Sequence, residues 1–178
     1  MSQFSEIEID GVVQPNVVSS YTFNTTGEHT VKYTLVNNTS IGEGAFNDCS
    51  SMTSVIIPNS VTLIGSGAFQ YCSGLTSIII PNSVTSINAG AFYGCSSMTS
   101  VTIGNSVSGF GYSVFYDCSS LTEIISLATT APIIQNNTFQ SIKANGTLIV
   151  PVGSTGYNVW MGNGDYYLGK YNWTKVEQ

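Results

Sequence analysis

Cysteine is the residue type in this chain best suited to chemistry, and there are four: Cys49, Cys72, Cys95 and Cys118. Thiolates hold metals, close disulfides or attack electrophiles, and the first two uses require them to converge. These four are instead spread at intervals of 23 residues, and the flanking text repeats with them: "AFNDCSSMTSVIIPNSV" from Ala45, "AFQYCSGLTSIIIPNSV" from Ala68 and "AFYGCSSMTSVTIGNSV" from Ala91. A fixed period of this size marks stacked supersecondary units. Equivalent sulfurs on successive turns, about 4.8 Å apart, form a row of about 14 Å with parallel side-chain directions. Such a row does not meet at a tetrahedral zinc ion, and parallel Cβ vectors suit a disulfide poorly.

A fifth, degenerate repeat supports this reading. Phe139 to Pro151 spans the same interval as Phe46 to Pro58 and Phe69 to Pro81, which places Ile142 where earlier repeats carry cysteine. A slot that accepts Cys or Ile behaves as a small buried apolar site. The thiols are therefore expected to be buried, unpaired and bonded to nothing, with no metal or other cofactor.

The remaining reactive residues offer little. His29 is the only histidine, so nucleophilic catalysis lacks a base near any thiol or hydroxyl cluster. Asp48 and Asp117 share one column but lie three coils apart, about 14 Å at the strand spacing, too far for a glycosidase pair. Glu43 sits near Asp48 on an exposed arc with no sign of a cleft, and no phosphate-binding glycine loop is present. The expectation is that the chain is not an enzyme.

The elements that would position these residues follow from composition and period. Charged residues are 8% and hydrophobic ones 42% of 178 residues, which with many β-branched side chains favours stacked strands over helices or disorder. Net charge is −6, arginine is absent, and Lys32, Lys143, Lys170 and Lys175 make no basic patch, so nucleic-acid binding lacks its main electrostatic term. No apolar run of membrane-spanning length appears, and the acidic start "MSQFSEIEID" does not read as an export signal.

Coils align at 41–63, 64–86, 87–109 and 110–132, with the degenerate fifth from Ile134. In each, apolar positions such as Leu75, Ile78, Ile80, Val84, Ile87, Ala91, Phe92 and Cys95 alternate over one strand and then become irregular over a returning arc. The pattern L-x-x-I-x-I-P-x-x-V-x-x-I-x-x-x-A-F-x-x-C resembles the BspA-like class of leucine-rich repeats found in bacterial and protist surface proteins, over about residues 41 to 156. Coil four departs from it, with Val114 for alanine and "SLATTAP" in place of "PNSVTS". The resemblance implies a leucine-rich-repeat solenoid, right-handed, with a parallel β-sheet on one face and short helical or 3₁₀ arcs opposite. It also implies recognition, as in adhesion, and an extracellular or cell-surface location, while the acidic start, which does not read as a signal peptide, leaves a cytoplasmic or virion-associated location as the alternative. Because solenoid ends expose apolar core, residues 1–39 are expected to form an N-terminal β cap, with two strands about a turn at Thr26-Gly27 and Val31 and Tyr33 facing inward. Residues 40–156 hold the five coils, and 157–178, rich in Tyr and Trp, are expected to cap the other end.

Two surfaces emerge as candidates for partner binding. On the outer sheet face, Ile56, Ile79, Thr102, Ile125 and Ile149 form one row, flanked by Ser54, Ser77, Ser100, Glu123 and Thr147. A solvent-facing isoleucine stripe suggests a protein or glycan partner, a homo-oligomer, or packing into a surface layer or phage particle; it also fits the plain preference of β-branched residues for sheets. On the arc, Tyr71, Tyr93 and Tyr116 could stack on sugars or on a protein. The column Asn59, Asn82 and Asn105 is expected to be an intercoil hydrogen-bond ladder.

Overall fold

The computed structural model describes residues 4–16, 22–35 and 39–178. The chain divides into two compact units, Met1–Asn38 and Thr39–Gln178.

In the first unit β1 (Phe4–Ile9) pairs antiparallel with β2 (Val12–Val13) and with β3 (Val31–Leu35). The alternation in "EIEI" buries Ile7 and Ile9, and the reversal into β2 falls on Asp10 and Gly11, both at positive φ (48° and 83°), as a two-residue hairpin turn requires. The expected hairpin about Thr26-Gly27 is not formed: the partner of β3 is β1, with Ile9 opposite Val31 and Ile7 opposite Tyr33. Residues 19–21 of its expected first strand lie outside the described residues. Val31 and Tyr33 do share a face with the buried isoleucines, since directly opposed residues lie on one side of a sheet, although Tyr33 stays 38% exposed.

The second unit is a parallel β-solenoid. Its strands are β4 (Ser40–Ile41), β5 (Leu63–Ile64), β6 (Ser77–Ile80), β7 (Ser86–Ile87), β8 (Ser100–Ile103), β9 (Gly109–Phe110), β10 (Glu123–Ser126), β11 (Thr147–Val150) and β12 (Thr174–Glu177). They build two parallel sheets, ordered β12-β11-β10-β8-β6 and β4-β5-β7-β9. Register follows the 23-residue period: Ile78 pairs with Val101, which pairs with Ile124, and Ile41, Ile64, Ile87 and Phe110 align in the smaller sheet. The inward positions Ile78, Ile80, Val101, Ile103, Ile124, Leu148 and Val150 are at most 2% exposed.

Between coils the Ser and Thr richness of the sequence acquires a role. Thr62, Thr85 and Ser108 each donate a hydroxyl hydrogen bond to the carbonyl one coil earlier, and Thr76, Thr99 and Thr122 form a second such ladder. The expected asparagine ladder reduces to one bond, from the Asn105 amide to Asn82 Oδ1 at 2.9 Å.

The arcs are turns and not the expected helical or 3₁₀ segments; among the described residues the 3₁₀ helix is Leu168–Tyr171. The cause is visible in their amides, which alternate in use. Ala45, Asn47 and Cys49 bond back within the coil to Gly42, Gly44 and Phe46, while Gly44, Phe46 and Asp48 bond forward to Ser66, Ala68 and Gln70 of the next coil. Each arc also carries two left-handed residues, as at Gly67 (φ 60°) and Tyr71 (φ 58°), which interrupt any helix.

Inside the arcs Phe46, Phe69, Phe92, Phe115 and Phe139 stack nearly parallel, with centroids 5.2 to 6.0 Å apart. Trp160 continues the column at 5.2 Å from Phe139. Of the C-terminal rings, Tyr157, Trp160 and Trp173 are buried while Tyr166, Tyr167 and Tyr171 are half-buried. The segment also supplies β12, a strand the sequence reading did not foresee.

Candidate functional site

The cysteine slot is the first place to look for chemistry. Cys72, Cys95 and Cys118 are fully buried, Cys49 is half-buried, and all four are free thiols. They are not without partners, contrary to expectation. Each buried sulfur donates to a carbonyl of the preceding coil: Cys72 to Phe46 O at 3.1 Å, Cys95 to Phe69 O and Cys118 to Phe92 O at 3.2 Å. Those carbonyls already accept the amide of the cysteine in their own coil, so the thiol fills their second lone pair. Burial pushes the Cys72 and Cys95 thiols up to about 12, and Cys118 also well above the ordinary thiol value. Neutral, sequestered thiols are poor nucleophiles and poor metal ligands. Ile142, 6% exposed, takes the same slot in the fifth coil.

The carboxylates do not assemble either. Asp48 and Asp117 occupy equivalent left-handed arc positions with Tyr71 and Gly94 between them in the column. His29 lies in the first unit, its ring 4.0 Å from Phe23, with Nδ1 2.8 Å from Asp10 Oδ2 and Nε2 3.1 Å from the Thr25 carbonyl. Both ring nitrogens face acceptors, an arrangement only the imidazolium satisfies with two donors, and its pKa is raised chiefly by the hydrogen bond to Asp10. Among the described residues no group of three or more His, Cys, Asp or Glu could hold a metal ion.

The outer sheet face is laid out in rows. Ile79, Thr102, Ile125 and Ile149 are paired in register, and the row continues to Val176 on β12; beside it run Ser77, Ser100, Glu123, Thr147 and Thr174. Ile79 is 70% exposed, whereas Thr102, Ile125 and Ile149 are half-buried between neighbouring strands. The first coil departs from the expected row. Residues 54–57 form no strand, so Ser54 and Ile56 are not paired with Ser77 and Ile79, although Thr76 bonds to Thr53 and Ile56 is 92% exposed.

On the arc the three tyrosines come together, but largely on one another. Tyr93 and Tyr116 stack face to face at 4.8 Å and Tyr71 meets Tyr93 edgewise at 5.3 Å. Gly94 makes this possible, since a Cβ there would fall 2.5 Å from the Tyr71 ring. Contrary to the sequence reading, a shallow groove of about 450 Å³ opens on the arc, lined by Glu43, Asn47, Ser66, Gln70, Tyr93 and Tyr112 over Gly44, Gly67, Gly90 and Ser113. Asp48 is not part of it. Tyr112, 60% exposed and not singled out from sequence, belongs to the column Glu43, Ser66, Ala89 and Tyr112, so its place was fixed by the period although its exposure was not.

No curated protein matches the chain. A family model described as BspA type leucine rich repeat region matches residues 16–146 in six copies, beginning well before the first 23-residue coil at Ile41.

Proposed function

The chain belongs to the BspA-type leucine-rich-repeat family, and from that premise we propose that it is a non-enzymatic recognition module that acts outside the cell and binds a protein partner through the outer face of its larger sheet. The carrying observation is the separation of roles along each strand. Inward residues are a nearly invariant apolar framework, while the outward rows mix Ile79, Thr102, Glu123, Ile125 and Thr147 on a rigid, hydrogen-bonded surface. A stacked scaffold fixes the geometry and leaves such rows to encode partners. An adhesion role fits this arrangement, and no helix among the described residues is long and apolar enough to cross a membrane.

A second reading, assembly into a homo-oligomer, surface layer or virion, is favoured by the exposure of Ile56 (92%) and Ile79 (70%). One pair of substitutions, Ile79→Lys with Ile125→Lys, separates the two. Recognition predicts a monomer by light scattering whose retention on an array of cell-surface proteins is lost in the double variant. An oligomer that dissociates in the double variant establishes assembly instead, and retention unchanged by the substitutions removes the sheet face from consideration.

A further inference from the structure

The arc groove has a chemistry different from that of the sheet face. Its floor is a column of backbone: Gly44, Gly67 and Gly90, all near φ 60°, followed by Ser113 at φ 58°. A Cβ at Gly44 would meet nothing within 4 Å and one at Gly90 only the Tyr93 Cβ at 3.8 Å, whereas at Gly67 the Gln70 amide oxygen reaches within 3.0 Å, so the channel is open above Gly44 and Gly90 and is narrowed over Gly67 by a movable polar side chain. One wall is Glu43, Ser66, Ala89 and Tyr112; the other is Asn47, Gln70 and Tyr93. The groove crosses four coils, about 14 Å at the strand spacing.

Three observations limit what could lie in it. Each floor glycine already donates its amide to the next coil, Gly44 to Ser66, Gly67 to Ala89 and Gly90 to Tyr112, so a peptide could not add to the backbone as an extra strand. No lysine lines the groove and Glu43 is its only charge, which leaves an anion without a partner. The side chains of Asn47, Ser66 and Gln70 make no hydrogen bond within the described residues, and Tyr112 has no ring neighbour there. An open aromatic face beside unengaged amides and hydroxyls suits a molecule with apolar C–H faces and hydroxyl edges and no charge.

We infer that this groove binds a short, uncharged oligosaccharide, with Tyr112 as the stacking platform and Asn47, Gln70 and Ser66 as the hydrogen-bonding wall. The site stands apart from the sheet-face reading and does not depend on it. Tyr112 is 60% exposed and its column neighbour one coil earlier is the small Ala89, whereas Tyr93 is stacked on Tyr116 and met edgewise by Tyr71.

The test is a two-dimensional amide NMR titration of the full chain with cellotetraose, maltotetraose, mannotetraose and chitotetraose, alongside tetragalacturonate and a neutral hexapeptide. At least one neutral tetrasaccharide is expected to shift Gly44, Gly67, Gly90 and Ser113 while the acidic sugar and the peptide do not. Tyr112→Ala, an exposed substitution whose fold is checked in the same spectra, should weaken that binding roughly tenfold or more. The pair Ile79→Lys and Ile125→Lys should leave it unchanged, so that a failed sheet face and a failed groove give different results. Shifts by the peptide or tetragalacturonate in place of neutral sugars, no groove shifts with any neutral tetrasaccharide, or equal binding by Tyr112→Ala would overturn the inference.

Discussion

Phe92→Ala is the sharpest test of how this solenoid is held together. The ring is fully buried and stacks between Phe69 at 5.4 Å and Phe115 at 5.6 Å, within 6° of parallel to both. Truncating a buried phenylalanine costs about 3–5 kcal/mol, from lost transfer energy and the cavity left behind. The site cannot collapse to fill that cavity, because the backbone on both sides is pinned by intercoil bonds: Phe92 N donates to Val114 O at 3.0 Å and Phe69 N to Ala91 O at 2.8 Å. The upper half of the range is therefore expected. Phe92→Leu keeps most of the volume and loses the two stacked ring pairs, worth about 0.5–1.5 kcal/mol each, so about 1–3 kcal/mol. Urea unfolding followed by far-ultraviolet circular dichroism measures both. In a chain of nearest-neighbour interfaces, weakening a central one should also separate the dichroism transition from the fluorescence transition of Trp160 and Trp173, which lie beyond it in sequence. A cost below about 2 kcal/mol for Phe92→Ala, or equal costs for the two variants, would refute the account of a rigid aromatic column.

Thiol titration with an aromatic disulfide reagent at pH 8 should modify Cys49 alone in the folded protein, with Cys72, Cys95 and Cys118 reacting only as the chain unfolds; rapid reaction of all four would contradict their burial. In the first unit, the raised pKa of His29 contributes stability that is complete below the ordinary value of 6.5 and is lost as pH rises through the folded value. The lowered pKa of Asp10, caused first by its hydrogen bond to His29, contributes above the ordinary value of 3.8 and is lost as pH falls through the folded one. The pair is thus strongest between these limits, and an NMR titration should place His29 above 6.5, with Asp10→Asn lowering it; an unchanged value would dissociate the two groups.

Much of the repeating unit was legible from the order of residues. A translational period forces equivalent residues into equivalent environments, so the alignment of five coils placed Ile78, Val101, Ile124 and Leu148 in one buried row, and reading Ile142 against the cysteines identified an apolar slot. The Asp10-Gly11 hairpin was also legible, as a turn pair between "EIEI" and "VV", but the aperiodic start of the chain drew the reading to Thr26-Gly27. The bond each buried thiol makes to a carbonyl was not legible, because its partner lies 26 residues away in another coil.

What the sequence by itself determined is the period, the inward framework and therefore the solenoid, since hydrophobic burial repeats wherever the pattern repeats. Tertiary stacking decided the surface. Whether Tyr93 is open or covered depends on Tyr71 and Tyr116 one coil to either side, and whether Gly67 makes a floor depends on Gly44 and Gly90. A groove is a relation between coils, set by which side chains share a column and by how alternate amides divide between neighbours, and it exists only once those neighbours are in place.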